Sequence, residues 1–158
     1  MISDNNSQLK LHSQVFWVGI GCQRGTTLQL IASSIQQVFR ENQLDENAIA
    51  GIATIDNKAA EVGLGEFCRL RNLILQTFPA EILRTVSVPN PDKLIDLQVG
   101  TPSVAEAAAI VAAGGEKLLQ YQSLTSSLMD LGVRLLVPKQ IFRLQGVGSL
   151  TVAVAQGV

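Results

Sequence analysis

The sequence contains few histidines, cysteines and aromatic residues, and the shortage of each residue type excludes a kind of site. The one histidine, His12, lies in a polar N-terminal stretch, so a histidine-based catalytic triad is excluded. Two cysteines and one histidine cannot complete a structural zinc site. Aromatic residues make up 4% of the chain, too few for a platform on which nucleobases stack. A general acid or base must therefore be Asp, Glu, Lys, Cys or Tyr.

The chain also lacks a surplus of either charge and lacks long apolar runs. Twelve Lys and Arg face thirteen Asp and Glu, a net charge of −1, which predicts no nucleic-acid partner. The longest apolar runs, residues 15–22 and 150–155, are far shorter than the roughly 20 residues of a membrane span. Residues 1–14 are polar and resemble neither a secretory signal nor a transit peptide. We expect a cytoplasmic protein with reduced thiols, a flexible tail over 1–14 and no membrane partner.

What remains is enough apolar material for a single domain over residues 15–158. The chain is 158 residues long and 47% hydrophobic, so a large core can form. Residues 15–21 form an apolar run that stops at glycine, which is typical of a strand buried on both faces. Thr26 or Thr27 can cap a helix whose apolar residues recur with helical spacing as far as Asn42. With a strand over 50–55, this predicts a βαβ unit.

The later elements are predicted from the same periodicity and turn signals. In order they are a helix over 58–71, a strand over 73–78, a short helix over 80–84, a helix from Thr101 to Gly114 and Gly115, and strands over 135–142 and 150–155. A Gly-rich turn at 145–149 makes the last two strands an antiparallel pair, and 118–133 stays open between helix and loop. The predicted fold class is α/β: a three-layer α/β/α arrangement with a mostly parallel mixed sheet and a C-terminal antiparallel hairpin.

Ligands in open α/β sheets bind beyond the carboxyl ends of the strands, and three segments are expected there. The first follows the first strand and offers glycine backbone, a helix N-terminus and a cation that can bind an anion: Gly21, Cys22, Arg24, Gly25 and Thr26. The alternative is a tight turn with a solvated arginine. Cys22 is either a thiol whose pKa is lowered by its surroundings or a small residue that the turn requires.

The second segment follows the second strand. Asp56 and Lys58 can orient a polar ligand or move a proton, and Glu61 is a further candidate. The alternative is that Asp56 caps a helix beside a surface lysine.

The third segment is the start of the helix after residue 100. Gly100, Thr101 and Ser103 supply hydroxyls and unpaired amides that can hold a carboxylate, or they only cap the helix. Lys139, which follows Pro138 in an apolar strand, is either a ligand contact or a residue that protects a sheet edge.

Taken together, these segments resemble the C-terminal domain of the cobalamin biosynthesis protein CbiG, a domain that is also found alone as CobE. The resemblance covers residues 15–155, and its blocks stand in the family's order. They are Gly-Ile-Gly-Cys-Gln-Arg-Gly-Thr at 19–26, Ala-Thr-Ile-Asp-Asn-Lys at 53–58, Val-Pro-Asn-Pro at 88–91, Val-Gly-Thr-Pro-Ser-Val-Ala-Glu-Ala-Ala at 99–108 and Val-Pro-Lys at 137–139.

The resemblance implies a role in building the corrin ring of vitamin B12. Full-length members act on cobalt-precorrin-5A, opening a ring-A lactone and releasing acetaldehyde. It implies that this chain binds a cobalt-precorrin or precorrin intermediate, with Asp56, Lys58 and Glu61 as catalytic candidates. No cofactor and no protein-bound metal are expected, because cobalt arrives within the intermediate. The partners considered are a separate CbiG N-terminal domain, a corrin methyltransferase and a second copy of the chain.

Two other functions remain open from the sequence. One is a corrinoid carrier or assembly partner without enzymatic activity. The other is a dinucleotide-binding module, in which Gly19 and Gly21 start the phosphate loop and Asp56 binds the ribose. This last pattern departs from the usual glycine motif, because Arg24 occupies the position of its third glycine.

Overall fold

In the described residues, a five-stranded sheet lies between two layers of helices. The structure is a computed structural model that describes residues 15–86, 104–120 and 133–157, and only the backbone of 115–120. The elements are β1 (Phe16–Cys22), α1 (Leu28–Glu41), β2 (Ile49–Ile55), α2 (Val62–Arg71), β3 (Ile74–Phe78), α3 (Ala80–Arg84), α4 (Val104–Gln120), β4 (Arg134–Leu144) and β5 (Gly148–Gln156). The predicted tail over 1–14 and the predicted helix start at Thr101 lie outside the described residues.

The sheet has the strand order β3-β2-β1-β5-β4. β1 pairs in parallel with β2, and β2 with β3, whereas β5 is antiparallel to both β1 and β4. β4 therefore points in the same direction as β1, and β5 alone of these strands runs the other way. The predicted α/β class, the mixed, mostly parallel sheet and the C-terminal hairpin are confirmed.

The two faces of β1 pack against different helices because its side chains alternate. Val18 and Ile20 belong to the core cluster formed with α1 and α2. The opposite face presents glycine, and a Cβ added to Gly19 would lie 2.8 Å from the carbonyl carbon of Ala105 and 2.9 Å from the amide nitrogen of Ala109. The backbone of α4 thus lies directly on the strand.

Helix α4 starts at the carboxyl end of β1. A Cβ added to Gly21 would lie 3.5 Å from the Cβ of Val104, whereas one added to Gly157 would meet the Ala113 carbonyl oxygen at 2.9 Å. The prediction that this helix ends at Gly114 and Gly115 is wrong, since it continues through Gln120. Glycine costs a helix about 1 kcal/mol, but this cost alone does not end a helix, which glycine commonly does by turning left-handed.

The other helix boundaries follow local capping. Thr27 is the N-cap of α1, and its hydroxyl accepts a hydrogen bond from the Leu30 amide at 3.2 Å, one of the two predicted caps. Helix α2 begins at Val62 instead of residue 58, because Asp56–Lys58 form a separate 3₁₀ turn. Over the described residues, no helix has the length and apolar character needed to cross a bilayer.

Candidate functional site

The carboxyl ends of β1, β2 and β4 lie at the same edge of the sheet, which we call the carboxyl edge. Here the loop after β1 (residues 23–27), the turn after β2 (56–61) and the turn between β4 and β5 (145–147) come together. The N-terminus of α4 starts at the same edge, beside Gly21. The topology thus brings loops from separate parts of the chain into one place, as expected for open α/β sheets.

The loop after β1 is held by hydrogen bonds to the start of β5. The Gln23 amide donates to the Ser149 carbonyl oxygen at 2.9 Å. The buried Thr26 hydroxyl donates to the carbonyl oxygens of Gln23 and Ser149 at 2.8 and 3.1 Å. The buried Thr26 side chain therefore fixes the shape of the loop, and Arg24 and Gly25 are exposed at the tip of the loop.

The first and second predicted segments touch each other through a carboxylate. Oε2 of Glu61 accepts a hydrogen bond from the Gly25 amide at 3.0 Å. Gly63, at the start of α2, lies close to the backbone at the start of α1, because a Cβ added to Gly63 would be 3.1 Å from the Leu28 amide nitrogen. In this structure the Gly25 amide, predicted to bind a ligand anion, holds an anionic side chain of the protein itself.

Cys22, in the first of these segments, is a neutral thiol. Burial raises the pKa of Cys22 from 9.0 to about 11, Lys58 opposes this rise, and Glu61 adds to it. The hypothesis of a thiol with a lowered pKa is therefore wrong, because burial outweighs the nearby ammonium group. The same interactions place the charges of Lys58 and Glu61 close enough to Cys22 to act on it.

Asp56 starts the 3₁₀ turn where β2 ends, and its side chain is exposed. The alternative that Asp56 caps the following helix is wrong, since the N-cap of α2 is Glu61. Lys58 is half-buried two residues further on. The turn after β2 thus supplies an exposed carboxylate and a partly buried ammonium group to the carboxyl edge, and groups of these two types can move a proton and stabilise an anion.

Lys139 lies away from these loops, within β4. Its backbone amide donates to Oε2 of Glu106 at 2.9 Å, at an irregularity between Val137 and Gln140. Glu106, on α4, is fully buried. From the sequence, Glu106 was interpreted only as an acidic residue of the first helical turns. A single carboxylate among the small apolar residues of an alanine-rich helix could have indicated that it is buried and hydrogen-bonded. Gly100, Thr101 and Ser103 lie outside the described residues.

A groove of about 460 Å³ borders the loop after β1 and is lined by residues 23–25 and 143–149. Arg143, near the end of β4, lines this groove together with Arg24. Sequence reasoning missed Arg143; a β4 strand parallel to β1 would have indicated that the turn after it reaches the carboxyl edge. Among the described side chains, no three His, Cys, Asp or Glu come together as a metal site.

Comparisons with known proteins define the family. Residues 16–155 match the family model described as the cobalamin synthesis G C-terminus, and the chain belongs to this family. It is 31% identical over 123 residues to the cobalt-precorrin-5A hydrolase of Salmonella typhimurium (strain LT2), an alignment covering 75% of this chain and 35% of that protein. The chain spans about a third of the length of the curated relatives that it matches.

Solved structures agree with this assignment. CobE, a protein from the cobalamin (vitamin B12) biosynthetic pathway, has the same fold, with a TM-score of 0.70, 23% identity and coverage of 90% of this chain and 93% of that one. The cobalamin biosynthesis protein chiG from Agrobacterium tumefaciens str. C58 gives a TM-score of 0.60 and 28% identity, covering 90% and 98%. The chain is a cobalamin-biosynthesis domain related to the C-terminal part of cobalt-precorrin-5A hydrolases.

Proposed function

We propose that the carboxyl edge of this domain binds a cobalt-precorrin or precorrin intermediate, and that the domain serves as the C-terminal part of a cobalt-precorrin-5A hydrolase. The observation that carries the proposal is the family match over 16–155. It is supported by the meeting of two predicted segments through Glu61 and Gly25. Because the alignments cover only 28% and 35% of the curated relatives, hydrolysis is proposed for the domain together with an N-terminal part of the kind they contain.

The chemistry of such a ligand fits the carboxyl edge. A precorrin intermediate carries acetate and propionate groups around an apolar ring, so it needs anion-binding groups beside apolar surface. Arg24 offers an exposed guanidinium group, which can bind a carboxylate through two parallel hydrogen bonds. The N-terminus of α4, beside Gly21, adds the positive end of a helix dipole. Cobalt enters this site as part of the ligand, and no further cofactor is proposed.

We assign lactone opening to Asp56 and Lys58. The exposed Asp56 carboxylate takes a proton from water, and the resulting hydroxide attacks the lactone carbonyl carbon. The Lys58 ammonium group stabilises the oxyanion of the tetrahedral intermediate, after which the ring C–O bond breaks. The released alkoxide takes the proton back from Asp56 to give a hydroxyl group, and the new carboxylic acid loses its proton to solvent. Glu61 holds the loop after β1 against α2 through the Gly25 amide, so its role is to position the site.

The experiment measures binding and turnover separately. Cobalt-precorrin-5A is titrated anaerobically into the domain and followed by absorbance, and acetaldehyde release is then assayed with and without the N-terminal part of a longer relative. Asp56→Asn should bind normally and lose turnover. Asp45→Asn is the matched control, because Asp45 caps a turn before β2, at the opposite edge of the sheet, and asparagine caps equally well.

Each outcome decides between functions. Saturable binding with turnover that depends on Asp56 supports the proposal. Saturable binding without turnover in any combination favours a carrier that hands intermediates between enzymes. Absence of binding, with or without the N-terminal part, rejects both functions.

A further inference from the structure

The groove beside Arg24, which we call the arginine groove, has two walls from distant parts of the chain. One wall is the loop at residues 23–25, and the other is the hairpin tip at 143–149. The Ser149 carbonyl oxygen joins them, because it accepts hydrogen bonds from the Gln23 amide and the Thr26 hydroxyl. The groove is therefore built on the sheet itself, and its width is set by strand pairing.

That pairing also fixes the spacing of the two arginines along the sheet. Arg143 is paired with Ser149 in the β4–β5 ladder, and Ser149 in turn contacts Gln23, the neighbour of Arg24. Adjacent strands lie about 4.8 Å apart, so the backbones at Arg143 and Gln23 are about 10 Å apart. Arginine side chains are long enough to reach into the groove from both positions, so the two guanidinium groups can bind two acidic substituents of one ligand.

Each wall presents an exposed arginine and an exposed glycine to the groove. Arg24 and Arg143 are exposed, and neither forms a salt bridge with a carboxylate in the described ranges. Gly25 and Gly146 have φ values of 81° and 77°, and a Cβ added to either would meet nothing within 4 Å. A ligand can therefore approach the backbone of both turns closely.

The arginine groove also contains apolar surface. Leu144 lines it with 54% of its surface exposed, and the half-buried Val147 lies beside it. A groove that exposes a leucine together with two arginines suits a ligand that is apolar in its body and acidic at its rim. A small inorganic anion has no apolar surface to place against Leu144.

We infer that the arginine groove recognises the acidic side chains of a corrin-type macrocycle, with Arg24 and Arg143 binding two different carboxylates of one molecule. This inference rests on the proposed function and extends it. It names Arg143 as a specificity residue that distinguishes ligands by the number of free carboxylates they carry. Each guanidinium–carboxylate pair contributes a bidentate, charge-assisted contact. Loss of one pair weakens binding about tenfold.

The test compares two corrinoid probes by isothermal titration calorimetry. Cobyrinic acid carries free carboxylates around its ring, whereas the same groups are amides in cobinamide. Arg143→Ala should weaken cobyrinic acid binding about tenfold and leave cobinamide binding unchanged. Arg143→Lys keeps the charge but loses the bidentate guanidinium group, so its affinity for cobyrinic acid should lie between those of wild type and Arg143→Ala. Arg40→Ala is the matched control, since Arg40 is exposed in the last turn of α1, away from the groove.

The outcomes separate this inference from the function on which it rests. If wild-type protein binds cobyrinic acid and Arg143→Ala binds it equally well, the inference is overturned and the proposed function stands. If Arg143→Ala weakens both corrinoids by the same factor, the arginine does not select carboxylates and the inference is again overturned. If wild-type protein binds neither corrinoid, the proposed function itself has failed.

Discussion

Replacement of Gly19 by alanine tests how α4 is seated against the sheet. The added methyl group would lie 2.8 Å from the Ala105 carbonyl carbon and 2.9 Å from the Ala109 nitrogen. Both partners are backbone atoms, so no side-chain rotation relieves the overlap and the helix must move away from β1. Overpacking of a core costs about 1–3 kcal/mol, and we expect a value at or above the upper limit, about 3 kcal/mol. This is a large share of the roughly 5–15 kcal/mol that stabilises a domain.

The assay is urea unfolding followed by circular dichroism, with the free energy of unfolding obtained by linear extrapolation. Gly65→Ala is the matched control, because Gly65 lies in α2 and a Cβ there would meet nothing within 4 Å. That variant should be more stable than wild type by about 0.5–1 kcal/mol, since alanine favours helix over glycine. A Gly19→Ala protein within about 0.5 kcal/mol of wild type would refute the direct packing of α4 on β1 and the position of its N-terminus at the carboxyl edge.

Further predictions concern the Cys22 thiol and the buried polar side chains of Ser34 and Glu106. In a Cys68→Ala background, the alkylation rate of Cys22 should rise with pH up to about 11; a plateau near pH 9 contradicts the raised pKa. Because this pKa is raised on folding from 9.0 to about 11, the stability contributed by the neutral thiol is complete below pH 9 and is lost between pH 9 and 11, as pH-dependent urea unfolding would show. Ser34→Ala should raise the free energy of unfolding by about 1 kcal/mol, since the buried Ser34 hydroxyl has no hydrogen-bond partner among the described residues; a loss of stability contradicts this. Glu106→Ala should cost about 2 kcal/mol, more than Glu106→Gln, which keeps an acceptor for the Lys139 amide; equal losses would show that this bond contributes little.

Local signals were enough to predict most of the fold. The apolar run into Gly21, the threonine cap before α1 and the Gly-rich turn at 145–149 each depend on neighbouring residues, and the structure has β1, α1 and the β4–β5 hairpin at those places. The helix after residue 100 was predicted too short. Two glycines lower helix propensity, but the sequence does not show whether the backbone there turns left-handed, the conformation by which glycine commonly ends a helix.

The candidate site was harder to predict, because its contacts join residues far apart in the chain. The segments around Gly25 and Glu61 were both identified, but the hydrogen bond between them depends on β1 and β2 being neighbours. Arg143 was missed because its approach to Arg24 depends on the direction of β4, which no local pattern indicates. The Cys22 thiol was open to two interpretations because burial, which raises its pKa, is a property of the packed core.

The most direct test of the central claim, that the carboxyl edge binds a corrinoid, is an NMR titration of the ¹⁵N-labelled protein with diamagnetic cobyrinic acid. We predict saturable amide shifts concentrated at Gly25, in the loop after β1, and at Gly146, in the β4–β5 turn. The amide of Gly25 is the most informative, because a ligand carboxylate would compete with Glu61 for it. Shifts confined to the opposite edge of the sheet, around Gln43 and Asp45, or no shifts at saturating ligand, would contradict the account.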